Sequence, residues 1–312
     1  MIASVLCAGA AIAHADPKPA APPDGVFERD QVEVGPSRKP IRTITIENAL
    51  GDVRVEGHDG KTVQIIATKR APDDDTLDRL RVSLVPDPDG AVKIVTAVDG
   101  GREAKPVARS AVRIDVVIRA PRDAKVDARV HDGKLELFNM DAGGELDALD
   151  GNIAVENVAG AVVAHSLAGD QTFKSVFGTV DAQAITADMV LDTVRGERLI
   201  ASVHAGKIDG RHVTSRHIEL RTTRGDIVFD GTATAGGDIV VASLRGDVSV
   251  TLHGGVPVRV HASAAHVTLP SGGRADEHDP SITEFGEFGL QSHPTPLTIQ
   301  SRFGTVSFAL AQ

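Results

Sequence analysis

Residues 148–201 read ALDGNIAVE NVAGAVVAH SLAGDQTFK SVFGTVDAQ AITADMVLD TVRGERLIA, which are six consecutive units of nine residues. The second position of every unit is apolar, from Leu149 to Val194, and the eighth is apolar throughout. The fourth position is glycine in five units and alanine in one. Self-similarity at a fixed period is the sequence signature of a repeat architecture. This stretch therefore indicates that the chain folds as a repeat.

A glycine followed by alternating apolar residues recurs with looser spacing outside these units. Alternation with a period of two is typical of a strand that has one face on the core and one in water. A glycine at a fixed offset supplies the positive φ or the close backbone approach that a corner needs. We predict structural corner glycines at Gly51, Gly133, Gly151, Gly160, Gly169, Gly178, Gly196, Gly225, Gly237, Gly246 and Gly304.

The pattern predicts an all-β fold. Nine residues divide into roughly five in a strand and four in a corner. Two units then form one coil of a β-solenoid, or β-helix-like fold, with about nine residues per half-coil and about 4.8 Å between coils. A meander of antiparallel hairpins also fits, but the Asn-Gly and Asp-Gly pairs of tight hairpins are not the rule here, which favours the solenoid. A helix is expected only near Asp73–Leu80, where an acidic cap precedes Leu77.

The chain is predicted to contain one folded domain. Residues 1–15 resemble a signal peptide, with an apolar run and an Ala-His-Ala cleavage site, although the basic residues that usually precede the run are missing. A buried N-terminal strand is the alternative. Residues 16–40 are expected to be a flexible Pro/Ala-rich segment and lead-in, and residues 41–312 a single β-strand-repeat domain with an irregular loop near 270–296. The expected location is therefore extracytoplasmic: periplasmic, at the cell surface or secreted.

Composition narrows the classes of partner. The net charge is −10 and aromatic residues make up 3% of the chain, with no Trp and no Tyr. This composition disfavours nucleic acid as a partner, because both phosphate neutralisation and base stacking lack their usual residues. No stretch after the signal approaches the length of a transmembrane helix. An unidentified protein or a surface glycan remains as the expected partner.

The tripeptide Arg-Gly-Asp occurs twice, at Arg224–Asp226 and Arg245–Asp247. It can serve as a cell-adhesion ligand, usually on an exposed mobile loop. Here each copy occupies the corner position of the repeat, where backbone geometry requires the glycine. The separation of the two copies is slightly more than two repeat units. We therefore expect them to stack in neighbouring coils as a small ladder of Arg and Asp side chains.

Two long segments carry a family resemblance. The phrases ITIENALGDVRVEGHDGKTVQIIATKR (44–70) and IDVVIRAPRDAKVDARVHDGKLEL (114–137) precede a ladder of small–apolar–x–Gly–Asp turns. Together they resemble the bacterial putative adhesin family, extracytoplasmic β-strand-repeat domains of unknown function, over roughly residues 41–310. The resemblance implies the fold and an adhesive role, and it offers no catalytic residues to carry over. Gln171 and Arg198 depart from the pattern, since an apolar residue is expected at both, and the coil is expected to bulge there.

Several aspartates and histidines are candidate metal ligands, although a solvated or structural side chain is the simpler interpretation of each. Asp170, Asp226, Asp238 and Asp247 each follow a glycine, and stacked acidic corners could collect Ca²⁺. The calcium-binding nonapeptide needs two glycines and an aspartate per unit, which this chain mostly lacks, so solvated carboxylates are favoured. For zinc, His131 and His204 precede corner glycines, while His261 and His266 are expected on opposite faces of a strand. We predict no metal and no cofactor.

An enzyme of the polysaccharide lyase or hydrolase class is the main alternative in function. Such enzymes need carboxylate pairs about 5–10 Å apart in an open groove. Asp147, Asp150 and Glu156 form one possible group, and Asp226 with Asp230 another. Motifs for a nucleophile, a phosphate loop or a dinucleotide are missing. We therefore predict no catalytic residues.

The favoured function is that of an exported, non-catalytic adhesin or surface scaffold. A carbohydrate-processing enzyme and a solenoid that assembles through its ends remain alternatives. Phe285 and Phe288, in the loop near 270–296, are expected to cap the end of the core, or else to contact a partner.

Overall fold

The computed structural model of the protein describes residues 25–36, 39–87, 89–99, 111–276, 278–279, 281–286 and 293–311. These residues are nearly all β, in 23 strands and one short α-helix. The strands are β1 Val26–Val34, β2 Thr43–Asn48, β3 Val53–His58, β4 Val63–Ala71, β5 Leu80–Pro86, β6 Ala91–Val98, β7 Arg113–Pro121, β8 Lys125–Asp132, β9 Leu135–Phe138, β10 Gly143–Asp150, β11 Ile153–Ala168, β12 Gln171–Thr186, β13 Met189–Ala205, β14 Ile208–Arg224, β15 Ile227–Thr232, β16 Asp238–Arg245, β17 Val248–His253, β18 Val258–Ser263, β19 His266–Thr268, β20 Arg274–Ala275, β21 Ile282–Phe285, β22 Thr295–Ser301 and β23 Thr305–Ala311. The helix α1 spans Asp74–Leu77.

The helix lies inside the segment where the sequence predicts one. Asp73 is its N-cap, and the Asp73 carboxylate accepts a hydrogen bond from the Thr76 amide at 2.7 Å. This capping bond satisfies one of the amides that the first turn leaves without a partner. The helix ends after one turn, and Leu80, which we expected to extend it, is buried at the start of β5.

The strands form one large sheet that is not closed, and its pairings fall into two rows. Row I has the order β1, β4, β7, β3, β9, the N-terminal halves of β11 to β14, then β15, β17, β23 and β19. Row II has the order β5, β6, β2, β8, β10, the C-terminal halves of β11 to β14, then β16, β22, β18, β21 and β20. Pairing is parallel except at the start of both rows and at the end of row II.

The pairing offset explains the nine-residue pattern. Ile153 pairs with Gln171 and Gln171 with Met189, and each of these steps spans two repeat units along the chain. Successive units therefore belong alternately to row I and row II. Two successive units, one in each row, are called a coil below. The hairpin meander is wrong for these units, because hairpins would pair neighbouring units in antiparallel fashion.

One residue is inserted in β13. Phe177 on β12 pairs with Arg195 on β13, whereas Val180 pairs with Leu199, so the offset between the two strands grows by one between these pairs. The shift lies beside Arg198, where the sequence predicts a bulge. It moves the inward position by one, so that Ala201 is buried. No such shift occurs at Gln171, which is buried in register with its neighbours.

Apolar side chains from both rows form one continuous core. The second position of the nine-residue unit divides between core and surface. Val158, Val176 and Val194 are fully buried, whereas Leu149, Leu167 and Ile185 are about half exposed and stack in register on successive coils. An apolar residue in this column is therefore not by itself a sign of burial.

Antiparallel strands begin both rows and end row II. Val26–Val34, inside the segment expected to be a flexible lead-in, forms β1, which pairs along its whole length with β4. Lys69 on β4 contacts Glu28 and Asp30 on β1, at 3.0 and 2.7 Å. The segment 1–15, expected to be a signal peptide, lies outside the described residues.

At the other end, the predicted irregular loop near 270–296 contains β20, β21 and the first residues of β22. Phe285 on β21 is buried, with its ring centroid 5.4 Å from that of Phe308. This packing is the capping arrangement expected for Phe285, while Phe288 lies outside the described residues. No helix in the described ranges is long and apolar enough to cross a membrane.

Candidate functional site

The predicted corner glycines lie at the two bends that join the rows. Positive φ values are found at Gly51, Gly133, Gly151, Gly160, Gly169, Gly178, Gly225 and Gly246. At Gly196, Gly237 and Gly304 the constraint is space, since a Cβ there would overlap the carbonyl oxygen of Gly178, Arg216 and Gly246 respectively. The bend between the end of a row II strand and the next row I strand is here called the glycine corner. Gly169, with φ 111°, and Gly225, with φ 151°, both stand in it.

Side chains that follow these glycines hold neighbouring coils together. The amide of Asp170 donates to Asn152 Oδ1 at 2.8 Å, and the amide of Asp188 donates to Asp170 Oδ1 at 2.9 Å. Lys207 continues the pattern by donating its amide to Asp188 Oδ1 at 2.8 Å. Each acid or amide thus satisfies a backbone donor of the next coil. The corner carboxylates have a structural task.

The two Arg-Gly-Asp copies belong to this ladder. Arg224 pairs with Arg245 in adjacent strands, and the amide of Asp247 donates to Asp226 Oδ1 at 2.9 Å. Asp247 Oδ1 in turn accepts the amide and the hydroxyl of Thr305, at 2.8 and 2.9 Å. These bonds, led by that of the Thr305 amide, lower the pKa of Asp247 below its ordinary value. Both aspartates are tied to the next coil, unlike those of a mobile adhesion loop.

Metal ligands do not converge in the described part of the chain, which holds no group of three or more His, Cys, Asp or Glu side chains placed to share an ion. Three of the four candidate calcium ligands use one oxygen to accept a backbone amide, and the fourth, Asp238, lies 2.7 Å from His217 Nδ1. His261 lies on β18 in row II and His266 on β19 in row I, so the two are on different strands rather than on opposite faces of one. His131 and His204 stand near the glycine corner, on β8 and β13.

The carboxylates considered for catalysis are not brought together. Asp147 lies on the outer face of row II, 3.2 Å from Arg129 and 3.1 Å from His165, whereas Glu156 lies in row I. Asp150 ends β10 at the glycine corner. Asp226 is also at that corner, while Asp230 is further along β15 and contacts His253 at 3.0 Å. The alternation between rows separates Glu156 from Asp147 and Asp150, whereas Asp226 and Asp230 are separated along one extended segment.

A shallow cleft of about 560 Å³ opens on the outer face of row II. It crosses β13, β14, β16, β22 and β18, where the outward residues are small or polar: Ser202, Ala242, Gln300 and Ser263, together with Arg221. Outward side chains of this size leave a depression between longer neighbours. Leu244 and Arg302 line the edge of the cleft nearest the glycine corner.

Guanidinium groups gather at this edge. Arg302 directly follows β22, and Arg245 ends β16. Both guanidinium groups lie over the ring of Phe303, with Arg302 Cζ 5.4 Å and Arg245 Cζ 5.8 Å from the ring centroid, and Phe303 is 63% exposed. Arg224 lies 3.4 Å from His204 Nε2. Arg221 is paired with Glu219. The arrangement is a cationic, hydroxyl-bearing surface with one exposed aromatic ring.

Sequence reasoning did not find this cleft. Its last two strands come from beyond the end of the regular repeat, since β16 pairs with β22 across the segment that interrupts it. The usable signal was the run of outward Ser, Ala and Gln in strands that otherwise alternate with larger side chains. That signal has meaning only once the pairing is known.

Comparison with known proteins finds structural similarity at low sequence identity. No protein-family profile matches the chain, and no curated protein matches it either. Among solved structures, it is similar to a putative adhesin from Bacteroides fragilis, with 15% identity, a TM-score of 0.40, and 92% of this chain and 97% of that chain covered.

Two further crystal structures align over 92% of the chain. A putative adhesin from Parabacteroides distasonis has 10% identity, 98% of its own chain covered and a TM-score of 0.34. A putative cell adhesion protein from Clostridium sporogenes has 11% identity, full coverage of its own chain and a TM-score of 0.27. All three are described as putative adhesion proteins. Similarity at this level says nothing about what this chain binds.

Proposed function

We propose that this protein is an exported, non-catalytic β-solenoid that acts as an adhesin or surface scaffold by binding a ligand in the cleft of row II. In this proposal residues 1–15 are a signal peptide, and residues 41–312 form one domain that β1 extends. The parallel pairing at an offset of two repeat units supports the solenoid, because each coil then contributes one strand to each row.

One observation carries the proposal: the cleft is an open concave surface with polar groups along its floor and an exposed aromatic ring near its edge. Binding sites are typically concave, with a few polar groups that fix orientation. Its described lining has Ser and Thr hydroxyls but no histidine and no carboxylate that could act as a base beside them. A lining of this kind favours binding over hydrolysis.

The test is to fill the cleft. Ala242 faces outward in the middle of the floor, so Ala242→Trp should block the cleft without disturbing the core. Ala154→Trp, outward on the opposite row I, is the matched control. We expect the wild type and the control to sediment with isolated bacterial envelopes, and Ala242→Trp to remain in the supernatant.

Two results would overturn the proposal. Equal retention of Ala242→Trp and the wild type would place binding elsewhere on the molecule. Release of new reducing ends from envelope glycans by the wild type would show that the protein is an enzyme.

A further inference from the structure

The lining of the cleft indicates the charge of its occupant. The chain has 43 acidic and 33 basic residues, yet none of the described residues that line the cleft is Asp or Glu. Arg245 ends β16 and Arg302 directly follows the neighbouring strand β22, so both cations lie at the same edge of the cleft. A cationic recess in an acidic protein attracts anions locally while the rest of the surface repels them.

The guanidinium groups at the cleft edge are open to a ligand. Arg224, Arg245 and Arg302 are exposed, and within the described residues none has an Asp or Glu oxygen within 4.0 Å. The nearest acids along the chain, Asp226 and Asp247, lie across the corner glycine and accept backbone amides of the next coil. A ligand would therefore meet cations that no intramolecular carboxylate neutralises by direct contact.

The remaining groups indicate a sugar rather than another anion. Ser202, Ser263 and Gln300 offer hydroxyl and amide groups along the floor, which suit the hydroxyls of a glycan. Phe303 is 63% exposed and its ring lies under the guanidinium groups of Arg245 and Arg302, so a sugar that carries an anionic substituent would meet both cations together with the exposed part of the ring.

The shape of the cleft indicates a chain rather than a single sugar. Five neighbouring strands contribute to the floor, and four spacings between them amount to about 20 Å. Nucleic acid fits less well, because its continuous phosphates would approach a protein of net charge −10. Base stacking also uses several aromatic rings, whereas Phe303 is the one exposed ring among the described residues at the cleft edge.

We propose that the row II cleft binds an acidic polysaccharide, lying across the strands with its carboxylates on Arg245 and Arg302 at the edge where both guanidinium groups lie over Phe303. The inference rests on the proposed function and names the ligand class of the same cleft.

The experiment compares polygalacturonate with its fully methyl-esterified form, which has the same backbone without the charge. Binding of the full chain to each is measured by calorimetry. We expect binding of the charged polymer alone, weakened by added salt because the contacts are ionic. The double substitution Arg245→Gln and Arg302→Gln should lower the affinity at least about tenfold, since two charge-assisted hydrogen-bonding groups are lost.

Two control variants separate the cleft from general charge. Arg129→Gln removes a cation from the same outer face of row II, but Arg129 contacts Asp147, whose hydrogen bond raises the Arg129 pKa, and lies far from the cleft. Phe177→Ala removes an exposed ring elsewhere, as a match for Phe303→Ala. We expect both controls to bind like the wild type and Phe303→Ala to bind several-fold more weakly.

Three outcomes would overturn the inference: equal binding of the esterified polymer, tighter binding of a single-stranded oligonucleotide or polyglutamate, or equal loss in Arg129→Gln. If polygalacturonate does not bind while Ala242→Trp still abolishes retention on envelopes, the ligand class is wrong and the proposed function stands. If envelope retention is also independent of the cleft, both fail.

Discussion

The carboxylate of Asp226 accepts a hydrogen bond from the backbone amide of Asp247, on the next coil, at 2.9 Å. The two residues end the two Arg-Gly-Asp copies, so the tripeptide is one step of an inter-coil ladder. Asn152 performs the same task two coils before Asp188. An oxygen acceptor is therefore what this corner requires, and a charge is not.

Asp226→Ala should lower the free energy of unfolding by about 1 kcal/mol, because the Asp247 amide loses its acceptor. Asp226→Asn should keep most of the stability, as Asn152 does in its own coil. Urea unfolding monitored by circular dichroism measures both. Glu197→Ala is the control, since Glu197 also follows a glycine but is exposed on the other bend, and it should change little. Equal effects of Asp226→Ala and Glu197→Ala would contradict the ladder.

Lowering the pH should weaken the hydrogen bonds between Thr305 and the Asp247 carboxylate, which are the last step of the ladder. The pKa of Asp247 is lowered in the folded protein, chiefly because its carboxylate accepts the Thr305 amide. The carboxylate therefore stabilises the fold fully above the unfolded pKa of about 3.9, and this contribution is lost as the pH falls through the lower folded value. The unfolding free energies of wild type and Asp247→Asn, measured from about pH 6 downwards, should converge at low pH. A constant difference would mean that Asp247 does not titrate with folding.

Gly169→Ala should be strongly destabilising. Gly169 has φ 111°, and a Cβ there would overlap the carbonyl of Gly151 in the preceding coil. The backbone conformation alone costs about 1–2 kcal/mol for an alanine, and the overlap adds to it. We expect a loss of at least about 2 kcal/mol and a clearly lower melting temperature by calorimetry.

Gly255→Ala is the matched control, because nothing lies within 4 Å of a Cβ at that position and its φ is not positive. Its melting temperature should stay close to that of the wild type. If the two alanine variants melt together, the corner does not depend on glycine.

The all-β fold and its nine-residue unit could be predicted from residues 148–201, because the pairing offset is twice the unit length. Whether a residue at the second position of the unit lies in the core or on the surface could not be predicted. Val176 and Leu167 share that column, yet Val176 is 0% exposed and Leu167 is 46% exposed. The two bends turn the chain differently relative to the glycine, and the sequence alone does not distinguish them. The cleft escaped prediction for another reason, since it depends on a strand pairing across an insertion.

This difference between the two residues is measurable. Val176→Ala should cost about 2 kcal/mol, because two buried methyl groups are lost and a cavity remains. Leu167→Ala should cost less than about 1 kcal/mol, although it removes more carbon, because much of the side chain is already in water. Chemical unfolding of both variants under one set of conditions tests this. A larger loss for Leu167→Ala would contradict the assignment of inside and outside.

Gln171 is a polar residue at a core position where the repeat pattern predicts an apolar one. Its side chain is fully buried where Ile153 and Met189 stand in the neighbouring coils. Gln171 Nε2 donates to Ser166 Oγ at 2.8 Å and to the carbonyl of Gln183 at 3.0 Å, while Oε1 has no partner among the described residues. A buried polar group without a partner costs about 1–3 kcal/mol, and replacing both members of a polar pair by apolar groups of similar shape can be neutral or stabilising.

Ser166→Ala should therefore destabilise the protein by about 1 kcal/mol, because it removes a partner of Gln171 and leaves the buried amide less satisfied. The double variant Ser166→Ala with Gln171→Met should recover that loss or exceed the wild type, because it gives this coil the residues of its neighbours, Ala148 or Ala184 and Met189. A double-mutant cycle in urea measures the coupling directly. Additive losses would show that the two side chains stabilise the core independently, and that Gln171 is satisfied by something other than Ser166.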